Sequence, residues 1–131
     1  MEAEPLAYLV DSVIFIDHFN DIEAATVWLA RHHAQAAVSV ITRAEVLAGF
    51  DRRRARRAVR LLDRFPTLVI DRAIADRAAR LRRQFRWKMP DAFQAALAKH
   101  HRLRLVTRNT KDFPPARYAF VLVPYKLGNE Q

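Results

Sequence analysis

The sequence predicts an α/β fold: a single domain with a mostly parallel, five-stranded sheet and helices on both faces. Short apolar runs rich in branched side chains recur along the chain, separated by segments with helical spacing. Strands alternating with helices in this way build a parallel sheet through right-handed crossovers, covered on both sides. With 131 residues and 51% hydrophobic content, the chain can bury one proper core. No linker, internal repeat or low-complexity stretch divides it. Residues 1–131 therefore form one domain, with loose ends expected over about 1–7 and 125–131.

Tyr8-Leu9-Val10 is the first strand and runs into Asp11, after which Val13 to Ile16 read as a turn of helix. Asn20 precedes a helix whose capping box Glu23 completes, with Ile22, Ala25, Trp28 and Leu29 facing inward. Asp17, Asp21 and Glu23 read as solvated or capping. Ala36 to Ile41 is the second strand, and Thr42-Arg-Ala-Glu45 opens a helix through Leu47. Asp51 to Phe65 is an arginine-laden helix with Val59, Leu62 and Phe65 as its stripe, stopped by Pro66. Thr67 to Ile70 is the third strand. Asp71 starts a helix bearing Ile74, Ala78, Leu81 and Phe85 on one face. Pro90 suits a first helical position, so a helix begins at Asp91, with Phe93, Ala96, Leu97 and His100 on one face. Leu103, Leu105 and Val106 form the fourth strand, Asp112 lies in the loop after it, and Phe120 to Val123 is the fifth.

Composition removes several chemistries. Without cysteine there is no disulfide or thiolate metal site, and the five histidines lack zinc-protease spacing. Two glycines leave no phosphate loop and no dinucleotide fingerprint. No apolar run is long enough for a membrane helix and the acidic start is unlike a secretory signal, so a cytoplasmic protein is expected. The net charge of +9 is concentrated: Arg52 to Lys88 holds fourteen Lys/Arg against three acids. That segment suits a polyanionic partner contacted through phosphates, with Arg52, Arg53, Arg54, Arg56 and Arg57 as the candidates. A solvated helix face is the other reading. The aromatic residues Trp28, Phe85 and Trp87 read as core rather than as base-stacking platforms.

Four acids share one edge of the expected sheet: Asp11, Glu45, Asp91 and Asp112 each follow a strand or open a helix at the carboxyl ends, where α/β sheets bind ligands. Singly, each has a local role to hand. Asp11 and Asp112 could satisfy loop N–H groups, Asp91 could complement a helix dipole, and Glu45 could complete a capping box with Thr42. Together, carboxylates about 5 Å apart at an effective dielectric near 20 repel by roughly 3 kcal/mol per pair, so such a cluster wants a cation. All-oxygen ligation suits Mg²⁺ or Mn²⁺, which would activate water against a phosphodiester.

The segments Leu9-Val-Asp11-Ser-Val-Ile-Phe-Ile-Asp17, Ser39-Val-Ile-Thr-Arg-Ala-Glu45-Val-Leu-Ala-Gly49, Pro90-Asp91-Ala-Phe-Gln-Ala-Ala96 and Leu105-Val-Thr-Arg-Asn-Thr-Lys-Asp112-Phe113 resemble the PIN-domain ribonucleases of toxin–antitoxin systems, the VapC family. The likeness spans the chain, and Thr107 to Phe113 is its most specific piece. It implies a Mg²⁺- or Mn²⁺-dependent endoribonuclease acting on RNA, a homodimer, and a small cognate antitoxin as partner. By position, Asp11, Glu45 and Asp91 match the family's core metal-site acids and Asp112 its more variable fourth. Thr107 and Asn109 match support residues and Ser12 the usual Thr or Ser, whereas Val13 stands where a polar Asn is common. A structure-specific DNA nuclease and a catalytically silent RNA- or partner-binding domain are the competing readings; four intact acids speak against silence.

Overall fold

The computed structural model describes residues 5–128. Its strands are β1 (Tyr8–Val10), β2 (Ala36–Ser39), β3 (Thr67–Leu68), β4 (Arg104–Val106) and β5 (Val121–Leu122). Its helices are α1 (Ser12–Phe19), α2 (Glu23–His32), α3 (Val40–Ala48), α4 (Arg52–Leu62), α5 (Arg72–Phe85) and α6 (Met89–His100). All strand pairs are parallel, in the order β3-β2-β1-β4-β5. From β1 the chain steps outward through β2 to β3, and α5 and α6 then carry it back across to β4 on the other side of β1. The direction of winding reverses between β1 and β4, which opens a crevice beyond their carboxyl ends.

Alternation along the strands sorts the core into two layers. Leu9 and Leu105 face a cluster with Ile74, Leu81, Trp87 and Leu97, under α5 and α6. Val10 and Val106 face a second cluster with Ile14, Phe15, Trp28, Val46 and Leu62, under α1 to α4. Trp28 and Trp87 are thus core residues, as expected, and Phe85 is partly buried against the cluster under α5 and α6. α6 is buried almost all round, and its run of Ala92, Ala95, Ala96 and Ala98 supplies the small side chains that this position requires.

Local signals misplaced several boundaries. The turn of helix after Asp11 is α1, a full eight residues. Asn20 does not cap α2: its N–H closes the end of α1, Asp21 turns the chain in the left-handed region at φ 62°, and Ile22 precedes α2 with no side-chain cap. β2 stops at Ser39 because Ser39 itself caps α3, its Oγ accepting from the Thr42 N–H at 3.0 Å. Thr42 and Glu45 therefore form no capping box. α4 ends at Leu62, although Phe65 beyond it is still buried, and α6 starts at Met89, two residues before Asp91. His100 is exposed rather than on the buried face. Within the stretches expected to be loose, the Ala7 N–H donates to the Gln35 carbonyl at 2.8 Å and the Tyr125 hydroxyl to Asp17 at 2.8 Å. Residues 1–4 and 129–131 lie outside the described residues.

Candidate active site

Asp11 stands at the mouth of the crevice, directly after β1 and as the cap of α1. Its N–H donates to the Val106 carbonyl at 2.9 Å, which fixes it to β4. Its Oδ1 accepts from the Ser12 N–H at 2.8 Å and from Gln94 Nε2 at 3.2 Å, while Oδ2 accepts from Thr107 Oγ1 at 2.7 Å. Thr107 in turn accepts the Asn109 N–H at 3.0 Å, and Asn109 Nδ2 donates to Asp112 Oδ2 at 3.0 Å. One chain of hydrogen bonds thus links the acid after β1 to the acid after β4, through Thr107 and Asn109. Trp87 Nε1 ties the same loop to the α5–α6 junction by donating to the Asp112 carbonyl at 3.1 Å.

Gln94 is the functional residue that the sequence did not announce. It is only 2% exposed and ties β1, α3 and α6 together. Its Oε1 accepts from Ser39 Oγ at 2.6 Å, and its Nε2 donates to Thr42 Oγ1 at 2.8 Å as well as to Asp11. Thr42 Oγ1 spends its own proton on the Val10 carbonyl at 3.2 Å. The amide cannot be flipped, because that would set its oxygen against an acceptor-only carboxylate. One signal was present: Gln94 lies one helical turn after Asp91, on the same side of α6. Gln94→Met keeps the volume but strands the Ser39 hydroxyl and a lone pair of Asp11, so urea unfolding should show a loss of about 1–3 kcal/mol. An unchanged midpoint would mean that the network is not structural.

The other two acids carry less support and more repulsion. Asp91, at the third position of α6, has its pKa pushed up to about 6 by burial first, then by the charges of Asp11, Asp112 and Glu45, with Lys88 opposing. All four predicted acids are therefore brought within electrostatic reach of one carboxyl. Glu45, on the second turn of α3, is largely exposed, yet partial burial of its carboxyl and the neighbouring Asp11 raise its pKa, against a hydrogen bond from Ser12. Val13 is half-buried and packs toward the core under α1. The donor atoms are all carboxylate oxygens, a set that fits a hard divalent cation. Among the described residues, however, no three His, Asp or Glu side chains as placed close into a ligand group.

Two of the α4 arginines, Arg54 and Arg57, are placed against Phe19. Arg54 donates to the Phe19 carbonyl at 3.3 Å and Arg57 lies 5.9 Å from the Phe19 ring, at the end of α1 opposite Ser12. Seven residues of helix put that end about 10 Å from the acids. Asp17 requires a larger correction. Expected in solvent, it is 5% exposed and accepts from Arg108 at 2.6 and 2.9 Å and from the Tyr125 hydroxyl at 2.8 Å. Burial and the bond to Asp17 hold the Tyr125 phenol above its ordinary pKa, so it remains a donor. Sequence spacing hides the pair, since Asp17 and Arg108 stand 91 positions apart.

Comparisons with known proteins bear on the family and the fold. The family model described as PIN domain matches residues 8–119. The chain is 34% identical over 113 residues to ribonuclease VapC10 of Mycobacterium tuberculosis, covering 81% of this chain and 85% of that one. Among solved structures it is similar to a toxin–antitoxin complex from Klebsiella pneumoniae, with a TM-score of 0.83 and 38% identity over 92% of this chain and 100% of that one. FitAcB from Neisseria gonorrhoeae shares the fold, with a TM-score of 0.75 and 24% identity over 92% of this chain and 99% of that one.

Proposed function

The chain belongs to the PIN-domain family, and from that premise we propose that it is a Mg²⁺- or Mn²⁺-dependent endoribonuclease, the toxin of a toxin–antitoxin pair. The observation that carries this reading is Asp91, a half-buried carboxyl at the carboxyl edge of the sheet whose pKa is raised by burial and by the charges of Asp11, Asp112 and Glu45. Similarity to a named ribonuclease and to a toxin–antitoxin complex supports RNA as substrate and a small antitoxin as partner. A homodimer, as the family resemblance implies, is the expected assembly.

Asp11, Glu45 and Asp91 would hold the cation, with Asp112 as fourth acid. When bound, it supplies a water of lowered pKa and neutralises charge gathering on the phosphodiester. The protein divides the work unequally among its acids. Asp11 and Asp112 are oriented by Ser12, Gln94, Thr107 and Asn109, so their oxygens are fixed before anything binds. Asp91 and Glu45 contribute negative charge that the fold holds at a cost, a cost that a bound cation would offset.

RNA cleavage by the purified protein should require Mg²⁺ or Mn²⁺, stop in EDTA, and resume when the ion is restored in excess. Cleavage that persists unchanged in chelator would reject the metal-dependent reading. Cutting of DNA with RNA left intact would favour the DNA-nuclease reading.

A further inference from the structure

The acid cluster repels the substrate that it is proposed to cut, so something beside it must hold a polyanion. Between Arg77 and Pro90 the sequence has six cations and no acid. Arg82, Arg83, Arg86 and Met89 line a shallow depression of about 500 Å³ where α5 meets α6. Among the described residues the ion pairs are Arg43–Asp63 and Arg108–Asp17, so no carboxylate pairs with these arginines.

Two of the cations stand where local backbone rules ask for something else. Arg86 ends α5 in the left-handed region at φ 60°, the position usually given to glycine. Lys88 occupies the cap of α6, where Ser, Thr, Asp or Asn is preferred and where the helix dipole disfavours a cation. Arg82, Arg83 and Arg86 could be read as complementing the end of α5, but that explanation does not extend to Lys88 or to the left-handed backbone of Arg86. Positions that break local rules in this way are candidates for function.

The junction is also held by side-chain contacts and adjacent to the acids. Arg82 donates to the Trp87 carbonyl, and the buried Trp87 stacks on Phe85 and donates its indole N–H to the Asp112 carbonyl. Lys88 lies three positions before Asp91 on the same helix end. Of the α4 arginines, Arg54 and Arg57 lie instead against Phe19, at the far end of α1 from Asp11.

We propose that Arg83, Arg86 and Lys88, framed by Arg82, bind successive phosphates of a single-stranded ribonucleotide chain and lead it into the acid cluster. Guanidinium groups suit this role because they grip phosphate oxygens in pairs. The proposal deepens the ribonuclease reading and rests on it.

The test is binding of a fluorescently labelled oligouridylate in EDTA, followed by anisotropy across a salt titration. Arg83→Gln/Arg86→Gln/Lys88→Gln should flatten the slope of log affinity against log salt by about 2, at about 0.7 per lost single-strand contact, and weaken binding at least about tenfold at physiological salt. Arg52→Gln/Arg53→Gln/Arg56→Gln should change both by less. Arg86→Gly separates binding from folding: glycine relieves the left-handed backbone, so the melting temperature should rise while affinity falls. A parental slope in the triple variant, or Arg86→Gly that is more stable yet binds as before, would overturn the proposal. So would a triple variant that binds RNA normally but loses a partner protein, which would make the patch a protein-docking surface. Because no cleavage is measured, a protein that binds the oligomer in this way yet cuts no RNA with Mg²⁺ would fail the ribonuclease reading alone.

Discussion

Asp91→Asn should lower RNA cleavage by about 10²-fold or more and, in EDTA above pH 7, raise the melting temperature. The two effects share one cause. Asp91 is held at a pKa of about 6, above its ordinary 3.8, by burial and by three neighbouring acids. The folded protein therefore binds this proton more tightly than the unfolded chain, and ionising it costs stability. That cost is fully present above pH 6, shrinks as pH falls through the folded pKa, and is gone below about pH 4. Asn never carries the charge, so the variant's advantage should follow the same course. The first turn of α6 works in the other direction, by about 0.3–1 kcal/mol in favour of a carboxylate, but the net raised pKa says that repulsion and burial outweigh it. Cleavage falls because a positioned charged group at a reacting centre is worth about 10²–10⁴ in rate. Retained activity with a lower melting temperature at every pH would reduce Asp91 to a helix-terminus residue.

The sheet and the edge that carries the four acids were legible because both rest on local patterns: short branched runs for strands, and the rule that ligands gather at carboxyl ends. Asp51 and Asp71, read as the first residues of their helices, are the caps just before them, each accepting from an N–H three residues on. Asn20 and Thr42 carried the same signal and were misread. Capping chemistry is short-range: Ser39 took the role from Thr42 by starting α3 earlier, while α2 starts after the left-handed turn at Asp21 with no side-chain cap at all. What could not be read is what forms only when distant elements meet. Gln94 looks like any polar helical residue until α3 and β1 close over it. Asp17 reads as surface charge until the loop after β4 brings Arg108 to it. Arginine-rich helices look alike in sequence, and only the packing of α4 on Phe19 and of α5 on the Trp87 junction tells which end of which helix adjoins the acids.

Arg108→Ala should be the most destabilising single change, at about 3–5 kcal/mol in urea unfolding. Asp17 and Arg108 are both largely buried, with side-chain exposures of 7% and 15%, and the guanidinium makes two hydrogen bonds to the carboxylate. Removing the cation leaves a buried anion with only the Tyr125 hydroxyl, and an uncompensated charge costs far more than a lost surface pair. A domain of this size is stable by about 5–15 kcal/mol, so the loss would be a large share of the total. Tyr125→Phe removes one hydrogen bond to a charged group and should cost less, about 1.5–3 kcal/mol. Asp17→Leu/Arg108→Met, which removes both charges and keeps the volume, should recover most of the loss, since the penalty lies in the orphaned charge rather than in the missing pair. Arg108 lies between Thr107 and Asn109, which hold Asp11 and Asp112. Cleavage by Arg108→Ala should therefore also fall at temperatures where the variant is still folded, and the double apolar variant should not regain parental activity. If Arg108→Ala unfolds at the parental urea midpoint, the Asp17 pair does not hold the loop, and the placement of Thr107 must come from β4 alone.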